Sequence, residues 1–125
     1  MPLVRIALRK GKPAAYRRAI ADAVHRAMVE TINVAPTSRF QIITEHALED
    51  LIYDPTHLNI QRSDDVVFIQ ITLAAGRTAE QKRALYKRMV ALLAENPGLR
   101  PQDVFINLVD APRENWSLGN GDALG

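Results

Sequence analysis

Two residues in this chain have types and positions that could do chemistry. Pro2 directly follows the initiator Met1, and a strand-like run starts at once behind it. A small residue at position two lets an aminopeptidase remove the methionine. Pro2 would then be the N-terminus, and its ring nitrogen a free secondary amine. Burial and nearby cations both disfavour the charged form of an amine and so lower its pKa. A base poised near the working pH is the efficient one. Arg77 is the natural complement, because its planar fork can hold a carboxylate through two parallel hydrogen bonds. It could also stabilise charge developing on an enolate oxygen. Alone, each signal is weak. Proline after methionine is a two-residue motif, and Arg77 by itself reads as a surface arginine at a helix start.

The elements that must position them follow from periodicity. Val4–Leu8 alternates with period two and reads as a strand that Gly11 ends. Pro13 suits the first turn of a helix. Tyr16, Ala19, Ile20, Ala23, Ala27 and Met28 draw one apolar stripe on a helix over about 13–32. Pro36 closes the turn after it, and Phe40–Thr44 reads as a second strand. A polar stretch over 46–66 reads as a loop, with a short strand or turn near Leu51 to Tyr53. Then Val67–Leu73 alternates again, Ala79–Glu95 is helical with Leu85, Met89, Leu92 and Leu93 inward, and Pro97-Gly98 stops it. The last strand is Val104–Val109.

The halves superpose without a gap at an offset of 65: Ile6 falls on Ile71, Gly11 on Gly76, Lys12 on Arg77, Glu30 on Glu95, Pro36 on Pro101 and Phe40 on Phe105. This is a tandem β-α-β repeat, over about 2–45 and 67–110. The chain of 125 residues is then a single α/β domain, an α+β two-layer sandwich. Strands within a repeat should be parallel, giving a four-stranded sheet with two helices packed on one face. The other face, expected to carry Ile69, Ile71, Ile106 and Leu108, would be apolar and want a partner. A symmetric oligomer is the economical answer.

Composition narrows the function. The chain is 47% hydrophobic, carries a net charge of only +2 and has no basic run, so no nucleic-acid partner is expected. There is no cysteine, which excludes thiolate chemistry and disulfides. No apolar run approaches the roughly 18 to 20 residues of a membrane span. Arg5, Arg9, Lys10 and Lys12 interrupt any signal-like stretch, so no membrane association and a cytoplasmic location are expected. His25, His46 and His57 lack metal-ligand spacing, so we expect no metal and no cofactor. His25 follows Asp22 by three positions and reads as a helix-surface or interface pair. His46 could reach a pocket rim. Glu45, Glu49 and Asp50 read as a solvated loop, and Tyr53 and Phe68 as core or interface.

Taken together, the proline after methionine, the Gly–basic turn, the amphipathic helix, the Pro turn and the Phe40-Gln-Ile-Ile-Thr-Glu45 strand resemble the tautomerase superfamily, founded on 4-oxalocrotonate tautomerase. The fused repeats and the Gly76–Lys82 turn resemble its double-length members. The Asn115–Gly121 tail is most similar to the malonate semialdehyde decarboxylase branch. The resemblance implies a homotrimer with pockets centred on an N-terminal proline, acting on a small carboxylic acid. Val67 replaces Pro2 in the second repeat, so each chain should carry one site. Pro2 and Arg77 would then be catalytic, in keto–enol tautomerisation of a small 2-oxo or 2-hydroxydienoate acid. Arg77 and Ser38 would contact substrate, and Trp116 and Leu118 would wall off water.

The departures matter as much. The decarboxylase branch carries an aspartate where this chain has Ser38, and two arginines in the Gly76 turn, the first of which is Ala75 here. The dehalogenases use an earlier arginine, here Ala74, and a glutamate and a tyrosine, here Leu118 and Asn107. A hydration needs a group to activate water, and no carboxylate is in register for it. A simple tautomerase survives these losses best. The alternatives are a decarboxylase-like lyase or hydratase, and a catalytically degenerate trimeric binding protein. Retention of Met1 would leave Pro2 without a free amine and remove the chemistry.

Overall fold

The computed structural model describes residues 1–124. Its elements are β1 (Pro2–Arg9), α1 (Ala14–Ile32), β2 (Gln41–His46), β3 (Val67–Ala74), α2 (Ala79–Glu95) and β4 (Val104–Ala111). The expected elements are all present. The strands run slightly longer than their apolar cores suggested, because pairing continues past the last buried side chain. The loop over 46–66 forms no strand. It carries two 3₁₀ turns, Leu48–Asp50 and His57–Asn59, with Leu51 buried between them.

The helices start and stop for local reasons. Pro13 opens α1 with an extended backbone, and Asn33 closes it in the left-handed region at φ 59°. A capping box opens α2: the Thr78 hydroxyl accepts from the Gln81 N–H, and the Gln81 side chain accepts from the Thr78 N–H.

The sheet order is β2-β1-β3-β4. β1 pairs parallel with β2, and β3 with β4. The two repeats join along an antiparallel seam between β1 and β3, where Pro2 lies opposite Leu73 and Ile6 opposite Ile69. One face is covered by the helices, and the core there is duplicated. Val4, Ile6 and Leu8 of β1 correspond at the same offset to Ile69, Ile71 and Leu73 of β3, and Ile20, Val24 and Met28 of α1 to Leu85, Met89 and Leu93 of α2. All twelve are buried. Each is worth about 1.5–3 kcal/mol relative to an exposed side chain.

The bare face differs from expectation. Ile69 and Ile71 point under the helices, and Ile106 and Leu108 pack against the same core. The apolar residues exposed on or beside the bare face of β2 and β4 are Phe40, Ile42, Phe105 and Val109, with Phe68 set edge-on to Phe105 at 5.1 Å. Strand side chains alternate, so a one-residue shift exchanges the faces. β3 is apolar at Phe68 as well as at Ile69, and alternation alone does not say which set the helices cover.

Candidate functional site

Pro2 begins β1 and is buried on the helix side, in step with Val4, Ile6 and Leu8. Its row crosses the sheet: Pro2 lies opposite Leu73, and Leu73 opposite Asp110. The next row holds Ala74 and Ala111. The Ala111 carbonyl accepts from the Ala75 N–H at 3.0 Å and from the Trp116 indole at 3.3 Å. The ends of β3 and β4 and the tail are thereby tied together beside the start of β1. Arg77 leaves this junction, and its guanidinium donates back to the Ala74 carbonyl at 2.8 Å.

With Met1 attached, the nitrogen of Pro2 is in an amide and the free amine belongs to Met1. That amine is one residue from where a Pro2 amine would be. Its pKa is held below the ordinary N-terminal value, first by burial, then by the charges of Arg77 and Arg113. The Ser38 hydroxyl approaches the Met1 sulfur at 3.5 Å. Pro2, Arg77, Ser38 and Trp116 therefore converge on one end of the β1–β3 seam. Leu118 leads into the turn of a tail hairpin closed by a Ser117–Ala123 bridge. It is 45% exposed, so in the single chain it walls nothing off.

The weaker candidates lie elsewhere. His46 pairs with Arg9, at the far end of β1 from Pro2, and its ring bonds Thr44. It does not reach the Pro2 end of its own chain. His25 is not paired with Asp22. Its Nε2 meets the Pro36 carbonyl at 2.8 Å, while Asp22 binds Arg39 at 2.6 Å. Glu45 binds Arg17, and Tyr53 donates to Asp64. Among the described residues no three metal-ligating side chains come together.

The residue that sequence reasoning missed is Arg113. It belongs to no motif, and nothing in its repeat counterpart, Leu48, points to it. Only the pairing of Ala74 with Ala111 reveals that the residues after β4 return to the Pro2 end.

Two tautomerase family models, each described as tautomerase enzyme, match this chain over residues 2–67 and 38–119. The chain belongs to the tautomerase family. It is 38% identical over 123 residues to the probable tautomerase YusQ of Bacillus subtilis (strain 168), covering 98% of this chain and 97% of that one. Among solved structures it is similar to FG41 malonate semialdehyde decarboxylase inhibited by 3-bromopropiolate, with a TM-score of 0.90 and 40% identity over 96% of this chain and 91% of that chain. A fused 4-OT symmetric trimer aligns with a TM-score of 0.81 and 25% identity, covering 98% and 95%. The tautomerase fold, a β-α-β repeat with four strands and two helices, is thus shared across the whole length.

Proposed function

We propose that this protein is a tautomerase of small 2-oxo or 2-hydroxydienoate acids, with Pro2 as acid and base once Met1 is removed. The observation that carries the reading is the Met1 amine, one residue from Pro2, whose pKa is lowered first by partial burial and then by the charges of Arg77 and Arg113. An amine so placed is neutral at a pH where an ordinary one is partly charged, and a neutral amine can take a proton. Pro2 removes a proton from the substrate carbon or hydroxyl and returns it to another position. Arg77 holds the carboxylate and the enolate oxygen as charge develops. Ser38 contacts the acid, and Trp116 and Leu118 exclude water. The bare face, with Phe40, Ile42, Phe105 and Val109 exposed, suits burial in a homotrimer. A fused 4-OT of the same fold is a symmetric trimer. No cofactor is needed for these steps.

Two experiments test this. Intact-mass spectrometry of protein made at native levels should show Met1 removed; full retention would sink the base role. Pro2→Ala should slow tautomerisation of phenylpyruvate or 2-hydroxymuconate by about 10²- to 10⁴-fold, the share that general acid–base catalysis contributes, and Arg77→Ala by about 10²- to 10³-fold, the cost of losing a donor to developing charge. Unchanged rates in both variants would favour a binding protein.

A decarboxylase-like reading is favoured by the 40% identity to the FG41 enzyme. Against it stands the Pro turn, where Ser38 offers a hydroxyl in place of a carboxylate. Carbon dioxide release from malonate semialdehyde faster than phenylpyruvate turnover would reverse the preference.

A further inference from the structure

Among the described residues, two arginines at the Pro2 end have no carboxylate partner. Arg77 donates to the Ala74 carbonyl, and Arg113 to the Leu124 carbonyl at 3.4 Å. Asp110, in the same row as Pro2, is taken by Lys82 at 2.9 Å. Elsewhere the cations are mostly paired, as Arg9 and Lys12 are with Asp65 and Arg88 is with Glu30.

The placement of Arg113 is built in. Ala74 and Ala111 are register partners, Arg77 follows the first and Arg113 the second. The two guanidinium groups thus leave neighbouring strand ends. The tail fixes the second one. The Leu124 N–H donates to the Trp116 carbonyl at 2.9 Å, the Ser117–Ala123 bridge closes the hairpin, and the Leu124 carbonyl then accepts from Arg113. Carbonyls leave a guanidinium's charge uncompensated, which is the state an anion site requires.

We propose that Arg113 is a second anion anchor of the Pro2 site, held in place by the C-terminal hairpin and supplying the cation that the turn lacks at Ala74 and Ala75. The inference rests on the proposed function for its substrate, and on the strand pairing for its geometry. The charge of Arg113 also acts on the N-terminal amine, in the same direction as Arg77. Arg113 therefore has two effects. It binds the acid, and it keeps the amine neutral to lower pH.

The test uses malonate, a small acid that needs no turnover to be read. Its binding is followed by calorimetry for the wild type, Arg77→Ala, Arg113→Ala and Arg113→Lys. Arg113→Ala should weaken binding about 10- to 100-fold, the worth of a charged hydrogen bond. Arg113→Lys should recover part of the loss, because it keeps the charge and loses the fork. In turnover, KM should rise more than kcat falls. The acid limb of the kcat/KM profile should move to higher pH, because removing a cation raises the amine pKa. Equal malonate affinity in the wild type and Arg113→Ala, or no binding by the wild type, overturns the proposal. The Pro2→Ala rate is a separate readout. Retained activity there overturns the proton-transfer role of Pro2 and leaves the anion anchor standing on its binding data.

Discussion

The two ends of the β1–β3 seam are built from equivalent residues and have opposite electrostatics. At one end stand Pro2, Ser38 and Arg77; at the other, at the same offset, stand Val67, Asp103 and Lys12. Arg77 has no carboxylate partner among the described residues. Lys12 binds Asp65 at 2.9 Å, lies 5.0 Å from the Tyr16 ring centre, and shares Asp65 with Arg9 at 2.9 Å. The Ser38 hydroxyl approaches the Met1 sulfur at 3.5 Å and has no charged partner among the described residues. Asp103 is fully buried and accepts from the Ser63 N–H and the Ser63 hydroxyl, each at 2.7 Å. Ser63 and Asp65 both come from the linker between the repeats. One duplicated unit thus yields an open cationic end and an end whose charges are satisfied by the linker. A duplicated core fixes where the side chains sit, and the residues brought alongside decide whether their charge is available to a ligand.

The largest effect on this comparison is expected at Asp103. Replacing it with alanine removes a buried carboxylate and leaves the Ser63 N–H without its acceptor, while Arg100, 3.4 Å from Asp103, keeps its bond to the Gln61 carbonyl. Leaving the part-buried Ser63 N–H without its acceptor costs about 1–3 kcal/mol. Ser38→Ala, the same change at the equivalent position, should cost less than about 0.5 kcal/mol. Urea unfolding of both variants measures the contrast. Similar losses in the two would mean that the ends do not differ in the way described.

How much of this was legible in the sequence differs from residue to residue. The repeat was readable because Gly11 and Gly76 and Pro36 and Pro101 punctuate it at one offset, and the inward positions of both helices follow the same spacing. Pro2 and Arg77 flank predictable elements, whereas Ser38 and Trp116 could be named only through the resemblance to the tautomerase superfamily. The covered face of β3 was not readable, since Phe68 and Ile69 are both apolar and coverage is a tertiary fact. His25 was misassigned to Asp22 by helix spacing. The turn at Pro36 brings a carbonyl to its ring, and Arg39 takes the aspartate. Arg113 was missed because its neighbours come from strand register. The linker reads from sequence as a polar loop, yet Ser63 and Asp65 close the second end through pairs 40 and 56 residues apart.

A subtler way to break the comparison is to give the open end the acid that the closed end has. Ser38→Asp places a carboxylate beside the N-terminal residue. An anion there favours the ammonium form and raises the amine pKa, opposing Arg77. The acid limb of kcat/KM should move to higher pH and activity near neutrality should fall, while stability changes little. A pH–rate profile reads this directly. An unmoved limb would mean that the position-38 side chain does not share the field of the amine.

The smallest effect is expected at Asp65. Hydrogen bonds and charge from Lys12, with further bonding from Arg9, depress its pKa in the folded state. A depressed carboxyl adds stability above its unfolded pKa of about 3.9, and that stability is lost as the pH falls through the folded value. Asp65→Asn should therefore cost stability at neutral pH and converge with the wild type in acid. The side chain is 42% exposed, so the cost should be about 1 kcal/mol or less and should shrink with added salt. The same substitution frees Lys12 and Arg9. If neutralisation by the linker is what closes this end, Asp65→Asn should bind one more malonate per chain than the wild type in the same calorimetric titration. An unchanged stoichiometry would place the closure in the packing around the fully buried Val67 instead.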